Sequence, residues 1–573
     1  MEQGAGSRRR LITKGMAALV ALSLVAAACG SDDDKATSTT AAATATTAAG
    51  TATTAGASET TVAGGATTDA PTPETTGGGS SDDALIIARG MDVNSLDPSL
   101  AYCDTCQIFL TAVYETLIGL DDDNKTQVPR LATDWEGNDD QTEFSFTLDP
   151  NAKFADGNAV TSSDVKFSWE RLAGLQGGAS YLASGIKSID DSDPGVVKVT
   201  LKASNSAFLA QVNAPYLGIM EKSVAEANGA TLDPNTDKAE EWFLSNSAGS
   251  GPFSLDSYAL GDSLVLNRND SYWGTPANFP QVVIKETPQA VTQRQQLEEG
   301  AVDIAMQLSA DVADGLSNPD VTVEKVPSFN YVYLALSPGA KGAEQLTPEV
   351  REAIRLALDY TGLIDVTVGG AGLPQASPIP NGFAGTDGLP TPTQDLDKAK
   401  ELMASAGVSS LKLDATYPQL NVYGVDFSTA MQKVQTDLQE IGIELELNPV
   451  EISVWADKIN ADGIPVTMLY FAPDHTDSSQ YVQYFGLITD SAWLDRSGAE
   501  INPEEETLLA KALATQDPDE RAAIYNQLGT AMINDQIIIP VVNPELFLAS
   551  RANITGMHYS ACCNLNLAKL GKS

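Results

Sequence analysis

From about residue 84 onward, apolar and polar positions along the chain fall into two rhythms. Runs such as "ALIIAR", "FSFTLD", "VVKVTLK" and "SLVLNRN" are apolar or alternate with period two and are closed by Gly, Asp or Asn, so they read as strands. "TSSDVKFSWERL" opens a helix, with Thr161 as N-cap and Asp164 three residues on in a capping-box arrangement. In the later half "LTPEVREAIRLALDY" places Val350, Ile354, Ala357 and Leu358 along one helical face behind a Thr347 cap and Pro348 at the first helical position. "DLDKAKELMASAG" stripes Ala399, Leu402, Met403 and Ala406 and stops at Gly407. "FSTAMQKVQTDLQEIGIELELNPV" runs from a helix carrying Met431, Val434, Leu438 and Ile441 through Gly442 into an alternating strand. Strands and helices interleaved in this order predict an α/β protein.

Before residue 84 neither rhythm is present. A basic segment with Arg8, Arg9 and Arg10 leads into the apolar "MAALVALSLVAAA" and ends at Cys29, the pattern of an export leader over residues 1–28. A cysteine directly after small residues resembles a lipobox, so Cys29 is the expected site of diacylglycerol attachment. The arginine run serves either the general secretory or the twin-arginine route. Residues 29–83 are Thr, Ala, Gly, Ser and Asp almost throughout. Such a segment buries too little apolar surface to offset the entropy of ordering it and predicts a tether with a reach on the order of 40 Å.

The formal net charge is −42, and removing the leader's arginines deepens it. Nucleic acid, whose phosphates need clustered Lys and Arg, is excluded as an expected partner. Besides Cys29 the chain has Cys103, Cys106, Cys562 and Cys563. In an exported protein these four are disulfide candidates with three possible connectivities. A four-thiolate zinc site is disfavoured, because adjacent cysteines do not readily fill two corners of a tetrahedron together with a CxxC.

One of only two histidines, His475, lies in "APDHTDSSQ" between Asp474 and Asp477, bracketed by Tyr470, Phe471, Tyr481, Tyr484 and Phe485. As a metal ligand it lacks companions, since His558 is about eighty residues away. As an acid and base pair, Asp474 and Asp477 lack a nucleophile motif of the GxSxG kind. Asp474 as a cap of the following turn and the aromatics as plain core remain open on the residues alone. No catalytic residue, cofactor or metal is predicted, and the chain also lacks an HExxH signature.

The order of several longer segments resembles the family 5 extracellular solute-binding proteins, the peptide- and nickel-type receptors of ABC importers. The segments are "SLDPSLAYCDTCQIFLTAVYETLIGLD", "VPRLATDWE", "TEFSFTLDPNAKFADGNAVTSSDVKFSWERL", "GSGPFSLDSY", "QRQQLEEGAVDIA", "VREAIRLALD", "ASPIPNGF" and "DKAKELMASAG". The resemblance implies a two-lobed periplasmic-binding-protein-like α/β fold of type II, of the large cluster with an extra subdomain in the first lobe. It places the first lobe at 84–286, the second at 287–535 and a return to the first at 536–573. It implies no chemistry, a lipid-anchored monomer on the extracellular face of the membrane, a small solute as ligand and ABC permease subunits as partners.

By the same resemblance "YFAPDHTDSSQYVQYF" aligns with a family segment "W-x-x-D-Y-x-D-P" whose first aspartate meets a peptide's α-ammonium. Asp474 then takes the anchor position, His475 the aromatic one and Asp477 the second aspartate, with Tyr470 beside them. Tyr102 and Asp104, in the loop after the first strand, are expected on the opposite side of the cleft. A disulfide through Cys103 or Cys106 would either stiffen that loop or staple it to the returning C-terminal segment. The "P-x-x-R" position that clamps a peptide carboxylate in dipeptide-type members is Asn421 here. An oligopeptide or another amine-bearing solute is therefore the expected ligand; a nickel chelate, a sugar or a peptide-sensing role are the alternatives, since fold does not fix ligand.

Overall fold

The computed structural model describes residues 83–561 and 563–573. The leader, Cys29, most of the tether and Cys562 lie outside the described residues.

Leu85–Arg89 stands inside a seven-stranded sheet, parallel to Gln281–Glu286 on one side and to Ile304–Ala305 on the other. Ser263–Arg268 and Phe253–Ala259 continue the first side antiparallel, while Leu546–Arg551 and Val321–Val326 continue the second. Leu85 and Ile87 point into the large first core and Ile86 and Ala88 into a smaller cluster with Phe547 and Ala549, the two-residue period of a strand buried on both faces. A four-stranded antiparallel sheet in the order 132–137, 143–148, 196–201 and 186–193 forms an added layer of this lobe. It is covered by the helix Ser162–Leu175, whose start carries both bonds of the capping box.

Two of the longer sequence segments meet in this lobe for structural reasons. Arg171 of "FSWERL" is fully buried and grips Asp97 of "SLDPSL" through two parallel bonds of 2.6 Å, with Asp237 completing the fork at 3.0 Å. A buried guanidinium needs this degree of pairing, and the pair fixes the loop after the first strand against the helix.

The second lobe is built on Tyr331–Leu336, flanked antiparallel by Val466–Phe471 and Ile538–Pro544. Every residue of this strand is buried. Val332, Leu334 and Leu336 face a core with Val350, Ile354, Met431 and Leu438, and Tyr331, Tyr333 and Ala335 face a second core with Tyr481, Phe485 and Trp493. Leu411–Pro418 and Ile443–Val450 pair in parallel across the helix Phe427–Gln439, a strand–helix–strand crossover. Gly442, at φ 82°, makes the turn into the second of these strands. The helix after Thr347 ends earlier than its pattern implies. Leu358 is extended, and Asp359 caps a new helix, Tyr360–Val368, by accepting from the Gly362 amide.

Sheet pairing moves both expected lobe boundaries. Ile304–Ala305 and Val321–Val326, expected in the second lobe, pair in the first sheet, so the chain crosses after Val326 rather than at 287. Ile538–Pro544, expected in the return, pairs with the second sheet, so the return begins near Glu545 rather than at 536. Periodicity identifies a strand but not the sheet that receives it. Ser328, donating to the Pro544 carbonyl at 2.7 Å, and Asn543, donating to the carbonyls of Ser328 and Asn330, stitch the two crossings together. Beyond the crossing Ile554, Leu565, Leu567 and Leu570 pack into the first core.

Candidate functional site

The strand Val466–Phe471 ends at the boundary between the lobes, and Ala472 and Pro473 carry the chain out to Asp474. The next turn is held by Gln480, whose Oε1 accepts from the Asp474 amide at 2.7 Å while its Nε2 donates to the carbonyls of His475 and Asp477. The helix Ser479–Phe485 follows. Gln480 thereby fixes the Asp474 backbone and leaves its carboxylate free to reach out of its own lobe.

That carboxylate reaches the first lobe. Its Oδ2 accepts from the Tyr102 hydroxyl at 2.9 Å and from the Tyr181 hydroxyl at 2.5 Å, and Gln107 donates to the neighbouring Pro473 carbonyl at 3.3 Å. Three first-lobe side chains thus converge on two consecutive residues of the second. Tyr102 leans on Tyr216, with ring centroids 5.2 Å apart, and a methyl group placed on Gly178 would come within 2.7 Å of the Tyr102 ring. Glycine at 178 lets Tyr102 stand where it does.

Asp474 closes one side of a cavity of about 190 Å³ between the lobes. Tyr102, Asp104 and Tyr216 line it from the first lobe; Trp455, Tyr470, Tyr484 and Arg496 line it from the second. Asp474 is 3% exposed. Among the described residues no cationic side chain lies within ion-pair distance of it. Burial pushes its carboxyl up to about 6, against the pull of the Tyr181 and Tyr102 hydroxyls. Asp104, at the first turn of the helix Asp104–Val113, is pushed up to about 7 by burial and then by the nearby Asp92. The wall therefore holds two carboxyls raised by burial, Asp104 partly offset by Arg89 and Asp474 met only by hydroxyl donors, and a bound cation would relieve the latter.

Of the residues singled out in the sequence, Tyr102, Asp104, Tyr470 and Asp474 share this wall. His475 and Asp477, expected beside it, are not among the residues that line this cavity. The His475 ring is fully buried; its Nδ1 accepts from the Asp477 amide at 3.2 Å, and desolvation lowers its pKa to about 4, so it is neutral. Asp477 accepts from the Tyr525 hydroxyl at 2.6 Å and lies 3.6 Å from Arg521, which ties the turn to the long helix Pro518–Asp535. Asn421 is exposed in a small hairpin and is absent from the wall.

Tyr181, Tyr216, Gln107 and Arg496 were not legible in advance. Tyr181 lies in a one-turn helix after the Ser162–Leu175 helix, and Arg496 in the helix Ala492–Ser497; neither stretch has a pattern that marks it as a site.

Cys103 and Cys106 are joined to each other. This corrects the expectation of a staple between the first loop and the returning C-terminal segment. Cys103 is also the N-cap of the Asp104–Val113 helix, its sulfur accepting from the Cys106 amide at 2.9 Å, and it lines the cavity. The bridge therefore ties down the turn that carries Tyr102 and Asp104. Cys563 is buried.

Comparison with known proteins bears on the family and the fold. Residues 126–493 match the family described as "Bacterial extracellular solute-binding proteins, family 5 Middle". The chain is 30% identical over 485 residues to the probable D,D-dipeptide-binding periplasmic protein DdpA of Escherichia coli K12, covering 83% of this chain and 91% of the relative. It is 24% identical over 486 residues to the glutathione-binding protein GsiB of Salmonella typhi, covering 82% and 91%. Among solved structures it is similar in fold to a dipeptide-binding protein from Pseudoalteromonas sp. SM9913 in complex with Met-Leu. That match has a TM-score of 0.74 at 21% identity and covers 86% of this chain and 100% of the other. It is similar also to NikA from Staphylococcus aureus in complex with Ni(L-His)2, with a TM-score of 0.71 at 17% identity over 85% and 99%. With the match spanning well over half its length and the two-lobed architecture in agreement, the chain belongs to the bacterial extracellular solute-binding proteins of family 5.

Proposed function

We propose that this protein captures a small peptide or a similar amine-bearing solute between its lobes and delivers it to an ABC permease, held at the outer face of the cell membrane through a lipidated Cys29. The observation that carries the ligand reading is Asp474. A buried carboxylate met only by hydroxyl donors is costly to ionise, and a ligand ammonium supplies the missing counter-charge as a charge-assisted hydrogen bond. Because Tyr102 and Tyr181 come from the other lobe, the same carboxylate that anchors the ligand draws the lobes together, coupling capture to closure. The dipeptide and glutathione named for two relatives are compatible ligand classes.

A thermal-shift screen of the mature chain tests this with small peptides, free amines, sugars and metal chelates. A ligand at one hundred times its dissociation constant stabilises by about 2.7 kcal/mol, a clear rise in melting temperature. Shifts confined to compounds with a free ammonium are expected; a shift from a sugar or chelate with none from any amine would overturn the reading. Cys29→Ala, followed by membrane fractionation, tests the anchor: release is expected, and retention in the membrane fraction contradicts it.

A further inference from the structure

The cavity also contains a positive charge. The guanidinium of Arg496 lies over three rings, with its central carbon 5.9 Å from the Trp455 centroid, 5.8 Å from Tyr484 and 5.6 Å from Trp493. Nη1 donates to the Tyr484 hydroxyl at 3.1 Å. Among the described residues no carboxylate comes within 4 Å of it, although acidic residues outnumber basic ones 76 to 34 in the chain. Arg496 is half-buried and lines the same cavity as Asp474. Aromatic rings over a guanidinium attract its charge and hold its plane, but they leave the in-plane N–H groups to point past their edges. Four of the five N–H groups have no partner among the described residues. A planar fork held in this way is suited to a carboxylate, and Lys would not reproduce it.

From this juxtaposition we propose that Arg496 is the carboxylate anchor of the site and that the ligand is a zwitterion small enough to span the cavity from Asp474 to Arg496, such as a peptide of two small residues. The proposal rests on the ammonium reading of Asp474 and adds the other end of the ligand. It also accounts for Asn421: the cleft takes its cation from the helix Ala492–Ser497 instead of from the hairpin that begins at Asn421.

Four probes separate this from a packing role: L-alanyl-L-alanine, D-alanyl-D-alanine and the C-terminal amide of each, titrated by calorimetry into the full mature chain and its variants. The wild type is expected to bind at least one free acid about tenfold or more tighter than its amide. Arg496→Gln should weaken that free acid about 10- to 100-fold while leaving its amide within about threefold, and Arg496→Lys should restore part of the discrimination. Equal weakening of acid and amide would mean that Arg496 only packs the rings and would overturn the proposal, as would a wild type that does not tell acid from amide. Should the amides bind and depend on Asp474 while Arg496→Gln changes nothing, the ammonium reading stands and the carboxylate anchor falls. Should none of the four probes bind the wild type, this inference is overturned, and the thermal-shift screen alone then decides the ammonium reading.

Discussion

Replacing Asp474 with Asn removes one charge and little else. Asparagine keeps an oxygen to accept from Tyr102 and Tyr181, and the Asp474 amide keeps its bond to Gln480, so the turn and the contact between lobes survive. The carboxyl sits at about 6 in the ligand-free protein against an ordinary 3.8. Ionising it without a partner therefore costs about 3 kcal/mol. A ligand ammonium that cancels this cost gains about the same amount, so Asp474→Asn should weaken an amine-bearing ligand on the order of a hundredfold at pH 7.5. The ligand-free variant should also melt higher than wild type at that pH, because a strained charge has gone. A merely structural aspartate predicts the reverse, a lower melting temperature with little change in affinity. Calorimetric titration reads the affinity and scanning calorimetry the stability. A loss of less than threefold in affinity, in a variant that folds, refutes the assignment of Asp474 as an ammonium anchor.

Binding should depend on pH through the same carboxyl. Below about 6 Asp474 takes up a proton, so affinity should fall roughly tenfold for each further unit of acidity and level off above it, and Asp474→Asn should abolish that slope. Stability of the ligand-free protein runs the other way. A carboxyl whose folded value is raised contributes stability that is complete below its unfolded value near 4 and lost as pH rises through the folded value. For Asp474 and Asp104 that loss falls between about pH 4 and 7, and Asp104→Asn should flatten it in melting curves. Replacing Cys103 and Cys106 with Ser opens a four-residue loop, with an expected loss of about 2 kcal/mol in denaturant unfolding and a weaker ligand, since the turn bearing Tyr102 and Asp104 is no longer tied; unchanged affinity would confine the bridge to stability. Asp477→Asn leaves Arg521 and Tyr525 without their carboxylate and should cost about 1 to 3 kcal/mol of stability with affinity within threefold of wild type; a large affinity loss would put Asp477 in the site after all.

What the sequence made legible follows from which interactions are local. The capping box at Thr161 and the passage through Gly442 from the Phe427–Gln439 helix into the Ile443–Val450 strand depend on neighbours within a few residues, and each stands where its pattern put it; the pairing of that strand with Leu411–Pro418 is a long-range contact that no local pattern encodes. The helix break at Leu358 was missed because the apolar stripe continues across it, while Asp359 favours a fresh cap over a continued helix. The lobe crossings were misplaced because a strand's residues do not encode its partner sheet, as with Val321–Val326. At the site, the family resemblance pointed to Asp474 and the loop bearing Tyr102, yet it also promoted His475 and Asp477, whose side chains turn into the second lobe. Arg496 was invisible for a simpler reason. Its three aromatic neighbours come from separate helices, and only tertiary packing gathers them around a guanidinium.

Whether a ligand ammonium sits on Asp474 between the lobes is decided by a crystal structure of the mature chain with an amine that shifts its melting temperature. The ligand's cationic nitrogen is expected about 2.7 to 2.9 Å from an Asp474 carboxylate oxygen, with Tyr102 and Tyr181 still closing on that side chain. A ligand seated in the cavity with no cationic nitrogen within 4 Å of Asp474 would contradict it.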